Sequence, residues 1–337
     1  MAMRDYLVGE ITEEYGHGLL TRREALRRLG LLGVGLTGAT ALLAACGGGG
    51  SAKSGATAAP TPPQATPPPG ADPPIRFSAN GIDYRAAYRA PSGDPHGAVL
   101  IIHENKGLTT HFYDLVGRFA ARGYDALCVD LLSRAGHDGT AGFTDQAAAT
   151  GVLSRTPTEQ LVADLHAGAD ELLKRASVAN LGAVGFCFGG GMTWNLLQAG
   201  PGQEKRLKVA VPFYGPAPAA PDFAGSNAAV LAIYGALDTR VDASRDAITQ
   251  ALEKAGLRHE IVTYDGADHA FYNDTGPRYN AAAAAAATTK LFDWLDRYLA
   301  GTTPPESEPS PEGEPSPQGE ARSESPLPVH THDSGGG

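Results

Sequence analysis

A cysteine set among glycines, Gly185-Phe186-Cys187-Phe188-Gly189-Gly190-Gly191, is the first place along this chain where chemistry could be done. A thiol there can pack as a small hydrophobe or attack as a nucleophile. What favours attack is the order of residues that follow it. Asp238 ends the stretch Leu231-Ala232-Ile233-Tyr234-Gly235-Ala236-Leu237-Asp238, and His269 ends Tyr264-Asp265-Gly266-Ala267-Asp268-His269. Each stands just past a short apolar run. Together they can form a working unit in which Cys187 attacks, His269 carries the proton and Asp238 fixes the tautomer of the imidazole. Asp242 competes with Asp238 for the carboxylate role, and Asp238 could instead cap a helix beginning near Val241.

Such groups need strands that end where they stand. Runs of the length and branched content of buried strands occur at 98–103, 126–130, 181–186, 209–214, 229–234 and 260–264,. Helical patterns at 110–122, 158–175, 191–198, 243–255 and 279–299 lie between and after them. Strand then helix, repeated, predicts an α/β domain with a mostly parallel sheet covered by helices on both faces. Gly185 and Gly189 give the G-x-nucleophile-x-G spacing of the tight strand-to-helix turn of α/β-hydrolases, with cysteine where serine is usual. The strand before it and the helix after it are both expected, and the helix dipole would favour thiolate. Cys128 reads as a buried strand cysteine, and the stripe Leu291, Phe292, Trp294, Leu295, Tyr298 as core packing.

Both ends look unlike a core. Residues 301–337 are rich in Pro, Glu, Ser and Gly, and their seven acids against one arginine account for six of the ten net negative charges. The tail is expected to be disordered, and the weak remaining charge argues against a nucleic-acid surface. At the other end, Arg22-Arg23 precede the apolar run Leu29 to Ala45, and Leu43-Ala44-Ala45-Cys46 resembles a lipobox. Residues 1–46 are therefore expected to be a twin-arginine-type lipoprotein signal with Cys46 the lipidated residue, in preference to a membrane span. Residues 47–72 read as a Gly/Ala/Pro-rich linker. That leaves 73–300 as a single globular domain, exported and tethered at the outer side of the cytoplasmic membrane or in the periplasm.

His103-Glu104-Asn105-Lys106-Gly107-Leu108, Gly185-Phe186-Cys187-Phe188-Gly189-Gly190, Gly235-Ala236-Leu237-Asp238 and Asp268-His269-Ala270-Phe271-Tyr272 resemble the signature regions of the dienelactone hydrolase family, of carboxymethylenebutenolidase type. The resemblance spans nearly all of 73–300 and implies an α/β-hydrolase fold. It also implies hydrolysis of a lactone or ester by a Cys-His-Asp triad, with Glu104 pairing with the resting thiol and helping to make thiolate. The backbone N–H groups of Phe188 and Asn105 are expected to form the oxyanion hole. One departure concerns substrate: the family arginine four residues after the histidine is Asn273 here. Arg134, Arg155 or Arg240 are the candidate replacements, with Phe271 and Tyr272 as further substrate contacts.

The expected activity is therefore a cysteine hydrolase that takes a small-molecule lactone or ester through a thioester acyl-enzyme. No metal and no organic cofactor is expected, since His103-Glu104-Asn105-Lys106-Gly107 lacks the second histidine of a zinc helix. A broader carboxylesterase, a peptidase-like hydrolase and a non-catalytic lipid-tethered binding protein are the alternatives. The sequence leaves the oligomeric state open.

Overall fold

The computed structural model describes residues 3–46, 66–136, 138–176 and 178–301. Eight strands form one sheet in the order β1-β2-β4-β3-β5-β6-β7-β8. They are β1 (Ile75–Ala79), β2 (Ile82–Arg89), β3 (Gly97–Ile102), β4 (Tyr124–Val129), β5 (Leu181–Phe186), β6 (Leu207–Phe213), β7 (Ala229–Gly235) and β8 (His259–Tyr264). β2 runs antiparallel to β1 and to β4, and every pairing from β4 through β8 is parallel. The six expected strands are present. The antiparallel pair β1 and β2 is an addition: β1 alternates in exposure at the edge of the sheet, while β2 lies between β1 and β4, buried over 84–87 but with its apolar residues interrupted by Asp83 and Arg85,.

The helices α4 (Thr110–Ala121), α5 (Gln146–Arg155), α6 (Thr158–Arg175), α7 (Phe188–Leu197), α8 (Thr239–Asp242), α9 (Arg245–Lys254) and α10 (Ala281–Tyr298) complete the domain. Side chains alternate across a strand, so neighbours of even and odd positions in β3 report opposite faces. Gly97 lies against Leu299, just past α10, whereas Leu100 lies against Gly168 of α6. Helices therefore cover both faces. Leu291, Phe292, Trp294 and Leu295 of α10 are buried, Phe292 packing on Phe119 of α4.

Three further helices precede the sheet: α1 (Met3–Gly16), α2 (Arg22–Leu31) and α3 (Leu36–Cys46). They pack on one another, and α1 and α2 also pack on α5. α2 begins with Thr21 accepting the Glu24 N–H, a side-chain cap that stops the helix from reaching back into the turn,. No helix among the described residues is long and apolar enough to cross a membrane. The linker from 47 and the tail from 302, but for residues 66–72, lie outside the described residues.

The order of strands reverses at β3 and β5: the chain goes from β3 to β4 on one side, then returns to place β5 on the other. In an open α/β sheet that reversal opens a crevice at the carboxyl ends of the two strands. Glu104 follows β3 there, and Cys187 follows β5.

Candidate functional site

Cys187 is held in a backbone conformation that few side chains tolerate, with φ 56° and ψ −118°. The turn explains why glycine flanks it. A Cβ on Gly185 would lie 2.1 Å from the carbonyl oxygen of Gly189, and one on Gly189 would lie 2.2 Å from that of Ile102. No rotamer change relieves a clash with backbone, so both positions exclude any other residue. The chain turns directly from β5 into α7 and leaves Cys187 at the amino end of the helix.

His269 and Asp238 meet as their order suggested. Nδ1 of His269 is 2.5 Å from Oδ2 of Asp238, and both side chains are buried. Asp238 also accepts the Val241 N–H on Oδ1 at 3.2 Å, so it caps α8 and holds the imidazole at once. The two readings of this residue are thus compatible. Asp242 lies at the far end of α8, 3.8 Å from Arg245, with its carboxyl raised to about 6 by burial. Burial disfavours charge on His269, yet Asp238 and Cys187 outweigh it and hold the ring well above its usual range. Burial likewise works against the Asp238 carboxylate, and the neighbouring imidazole brings it below the usual range,.

Two groups that sequence reasoning did not assign to the site come from α1. The hydroxyl of Tyr6 lies 3.1 Å from Cys187 Sγ and 3.0 Å from His269 Nε2. The carboxylate of Glu10 lies 3.8 and 3.9 Å from the same sulfur and accepts 2.8 Å from Asn105 Nδ2. Glu10, Cys187 and His269 present donor atoms within 4.8 Å of one another. Zinc could use such a set, although the sulfur and nitrogen are already bonded to Tyr6 and a Glu10 oxygen to Asn105. Burial raises the Glu10 carboxyl, and burial with the Glu10 charge raises the Cys187 thiol above its ordinary 9.0. Leu7 and Ile11 of α1 are buried beside these groups, an apolar pair one turn apart that does not by itself show which surface the helix covers,.

Glu104 does not pair with the thiol as expected. Its Oε2 accepts 2.8 Å from Asn273 Nδ2, and its buried Oε1 has no hydrogen-bond partner. Glu10 is the carboxylate that stands beside the sulfur. Of the three arginines expected from the sequence, Arg240 reaches the site, its guanidinium 4.5 Å over the ring of Tyr6 and its Nε 3.2 Å from Glu13. Arg134 is held away by Asp164 of α6 at 2.5 and 2.9 Å, and Arg155 is exposed and donates to the Leu31 carbonyl at 2.6 Å. A cation overlooked in the sequence is Arg278, whose charge is favoured by Glu10, Glu14 and Asp268 against the effect of burial.

Phe271 and Tyr272 are core residues rather than open contacts. Phe271 packs on Tyr214 and Tyr264, while Tyr272 packs on Phe186 and Phe213 and shares a hydrogen bond with Thr288. Tyr214, at the end of β6 with φ 37°, sets its ring against His269 at 5.2 Å. Gly189 lies against the carbonyls of Ile102 and His103, so the amide of Phe188 and the loop that carries Asn105 flank one crevice.

A profile of the dienelactone hydrolase family matches residues 84–299, nearly the whole of this sheet and its helices. The chain belongs to the dienelactone hydrolase family. Among relatives, the "Putative carboxymethylenebutenolidase" of Escherichia coli O157:H7 is 32% identical over 235 residues, covering 64% of this chain and 83% of that protein. The protein of the same name from Methylorubrum extorquens is 32% identical over 230 residues, covering 63% and 76%. The crystal structure of a "Putative Dienelactone Hydrolase" from Klebsiella pneumoniae superposes with a TM-score of 0.59 at 30% identity, covering 67% of this chain and 98% of that one. This dienelactone hydrolase family member is accordingly a hydrolase acting on ester bonds, with the α/β-hydrolase fold. The matched region begins after the three leading helices, so Tyr6 and Glu10 are features of this chain outside the family profile.

Proposed function

We propose that the protein hydrolyses a small lactone or ester through Cys187, His269 and Asp238. The single observation that carries this reading is the strained Cys187 at the head of α7 within 4.8 Å of an imidazole that Asp238 holds at 2.5 Å. The thiolate sulfur attacks the carbonyl carbon and forms a C–S bond. The oxyanion that results accepts from the N–H groups of Phe188 and Asn105. As the C–O bond breaks, His269 gives its proton to the leaving oxygen, and a thioester remains on Cys187. Water then attacks the thioester, His269 takes its proton, and the C–S bond breaks to release the acid and restore the thiolate beside the protonated imidazole.

To Glu104 we assign removal of the thiol proton once Glu10 is absent from the sulfur. Its unpartnered Oε1 is the atom available for that step. With Asn273 in place of the family arginine, Arg240 and Arg278 are the cations beside the crevice, and they suit an anionic substrate. For the leading segment, export through a twin-arginine signal and lipidation of Cys46 remain our reading, supported by the exposure of Arg22 and Arg23 at the start of α2.

The test is direct. Cys187→Ala and His269→Ala are each expected to abolish turnover of an activated aryl ester without loss of fold by circular dichroism. Full activity in either variant overturns the assignment. Profiles over lactones, simple esters and peptides separate a lactonase from a broader esterase or a peptidase.

A further inference from the structure

The catalytic groups of this enzyme are out of reach as the chain is folded. Cys187 is 2% exposed and His269 is fully buried, and the residue that covers both is Tyr6, itself fully buried. We infer that α1 is an intramolecular inhibitor of the catalytic crevice, in which Tyr6 and Glu10 occupy the places of the alcohol and the acid that ester hydrolysis produces. The inference rests on the reading of Cys187 as nucleophile.

The mimicry is specific in its atoms. In the reaction the leaving oxygen must lie against His269 Nε2, which gives it a proton, and close to the sulfur it departs from. The hydroxyl of Tyr6 lies 3.0 Å from that nitrogen and 3.1 Å from that sulfur. The acid product must lie beside the sulfur and near the loop after β3. The carboxylate of Glu10 does so, at 3.8 and 3.9 Å from Sγ and bonded to Asn105. Residues four apart on a helix share a face, so α1 presents hydroxyl and carboxylate together, one turn apart. Both ends of the crevice's charge are answered as well. Arg240 stacks over the Tyr6 ring and pairs with Glu13, and Arg278 lies in the field of Glu10 and Glu14.

Two cavities border α1. One of about 140 Å³ is lined by Glu14 on the α1 side and by Glu104, Asn273 and Arg278 on the other. A second, of about 250 Å³, is lined by Tyr6 together with Pro216 and Arg240. Because burial and the Glu10 charge both raise the thiol, the docked helix also suppresses the thiolate it hides.

The segment is held by buried apolar side chains, among them Tyr6, Leu7, Ile11, Ala25 and Leu29, and by bonds at the surface. Arg27 bonds Asp145 at the start of α5, and Arg155 holds the Leu31 carbonyl, both at the surface. Exposed ion pairs of this kind contribute little. In α3, Leu36 is 73% and Leu42 is 38% exposed, so this apolar helix is only partly used by the fold. If the lipobox reading holds, hydrolysis of the Ala45–Cys46 peptide bond removes Tyr6 and Glu10 together and opens the site. The chain would then fold with its chemistry blocked and gain it on processing.

The experiment uses the full-length chain and two readouts: hydrolysis of p-nitrophenyl acetate, and alkylation of Cys187 by iodoacetamide followed by peptide mass spectrometry. The variants are Tyr6→Ala/Glu10→Ala, which deletes the mimic, and Gly9→Leu, which drives a side chain into Arg240 because a Cβ at Gly9 would lie 3.0 Å from its Cδ. A site that is open only in a minor population is slowed in proportion to that population, so both variants should accelerate both readouts at least about tenfold. Unchanged or slower alkylation in both variants overturns the inference. Cys187→Ala in the double-variant background separates the two claims. If hydrolysis survives there, the nucleophile assignment fails, while the alkylation rates in the parent background still decide whether α1 occludes the thiol.

Discussion

Asn273 donates to Glu104 across 2.8 Å and so ties the loop after β8 to the loop after β3, on either side of Cys187. In the sequence this asparagine read as a loss, the absence of an arginine. In the structure it has a partner of its own, a buried carboxylate with one oxygen satisfied and the other without a partner. Replacing Asn273 by Ala removes the remaining donor and leaves Glu104 buried without compensation. Urea denaturation of Asn273→Ala is expected to show a loss of about 1–3 kcal/mol. A variant as stable as the parent would mean that Glu104 finds another partner.

Asp238 and Asp242 can be told apart by activity. Asp238→Asn keeps an acceptor for the Val241 N–H but loses the charge that holds His269, and turnover should fall about 10²- to 10⁴-fold. Asp242→Asn touches neither His269 nor Cys187 and should leave kcat/KM within about threefold of the parent. Steady-state kinetics on an aryl ester decide between them, and the reverse ranking would reassign the carboxylate.

The elbow makes a stability prediction of its own. A methyl at Gly185 would meet the Gly189 carbonyl, which cannot move without shifting α7. Gly185→Ala should destabilise the domain by about 2–4 kcal/mol and reduce expression. Gly93, where a Cβ meets nothing within 4 Å, is the control, and Gly93→Ala should lie within about 0.5 kcal/mol of the parent,.

Thiol reactivity should depend on pH in a stated direction. Cys187 is raised above 9.0 by burial first and by the Glu10 charge second, with His269 opposing both. Alkylation of the full-length chain should therefore be slow at neutral pH and still be rising, without a plateau, at pH 9.0,. Glu10→Gln removes a negative charge beside the sulfur, so its alkylation profile should move to lower pH. A profile that moves upward, or not at all, would contradict the electrostatics described.

Acid stability tests a region remote from the site. Burial alone would raise Glu204, but Arg206 and His166 bring it down to about 2. A carboxyl lowered on folding contributes stability that is complete above its unfolded value of 4.5 and is lost as pH falls from there towards about 2,. Glu204→Gln should thus cost about 1–2 kcal/mol at pH 7 and progressively less below pH 4.5, by denaturation at several pH values,.

Much of the fold is legible because a parallel sheet buries its strands on both faces. β3, β4, β5 and β7 are buried at every position, and such strands read as continuous apolar runs,. β1 alternates at the border of the sheet, and the apolar residues of β2 are interrupted by Asp83 and Arg85, so neither leaves such a run. Cys187, Asp238 and His269 are legible through order and position, each at a strand end. Glu104 is legible as a residue but not in its partner, because Asn273 lies 169 positions away. Tyr6 and Glu10 could not be found by pattern. The helix buries Leu7 and Ile11 beside them, but so short an apolar pair does not show that the polar Tyr6 and Glu10 face a catalytic crevice.

The central claim is that acyl transfer passes through Cys187. The direct measurement is mass spectrometry of the full-length chain, acid-quenched during turnover of p-nitrophenyl acetate and digested. The account predicts an acetyl group on the peptide containing Cys187, removed by hydroxylamine and absent in Cys187→Ala. Continued turnover with no adduct on that peptide, or with the adduct on another residue, would contradict it.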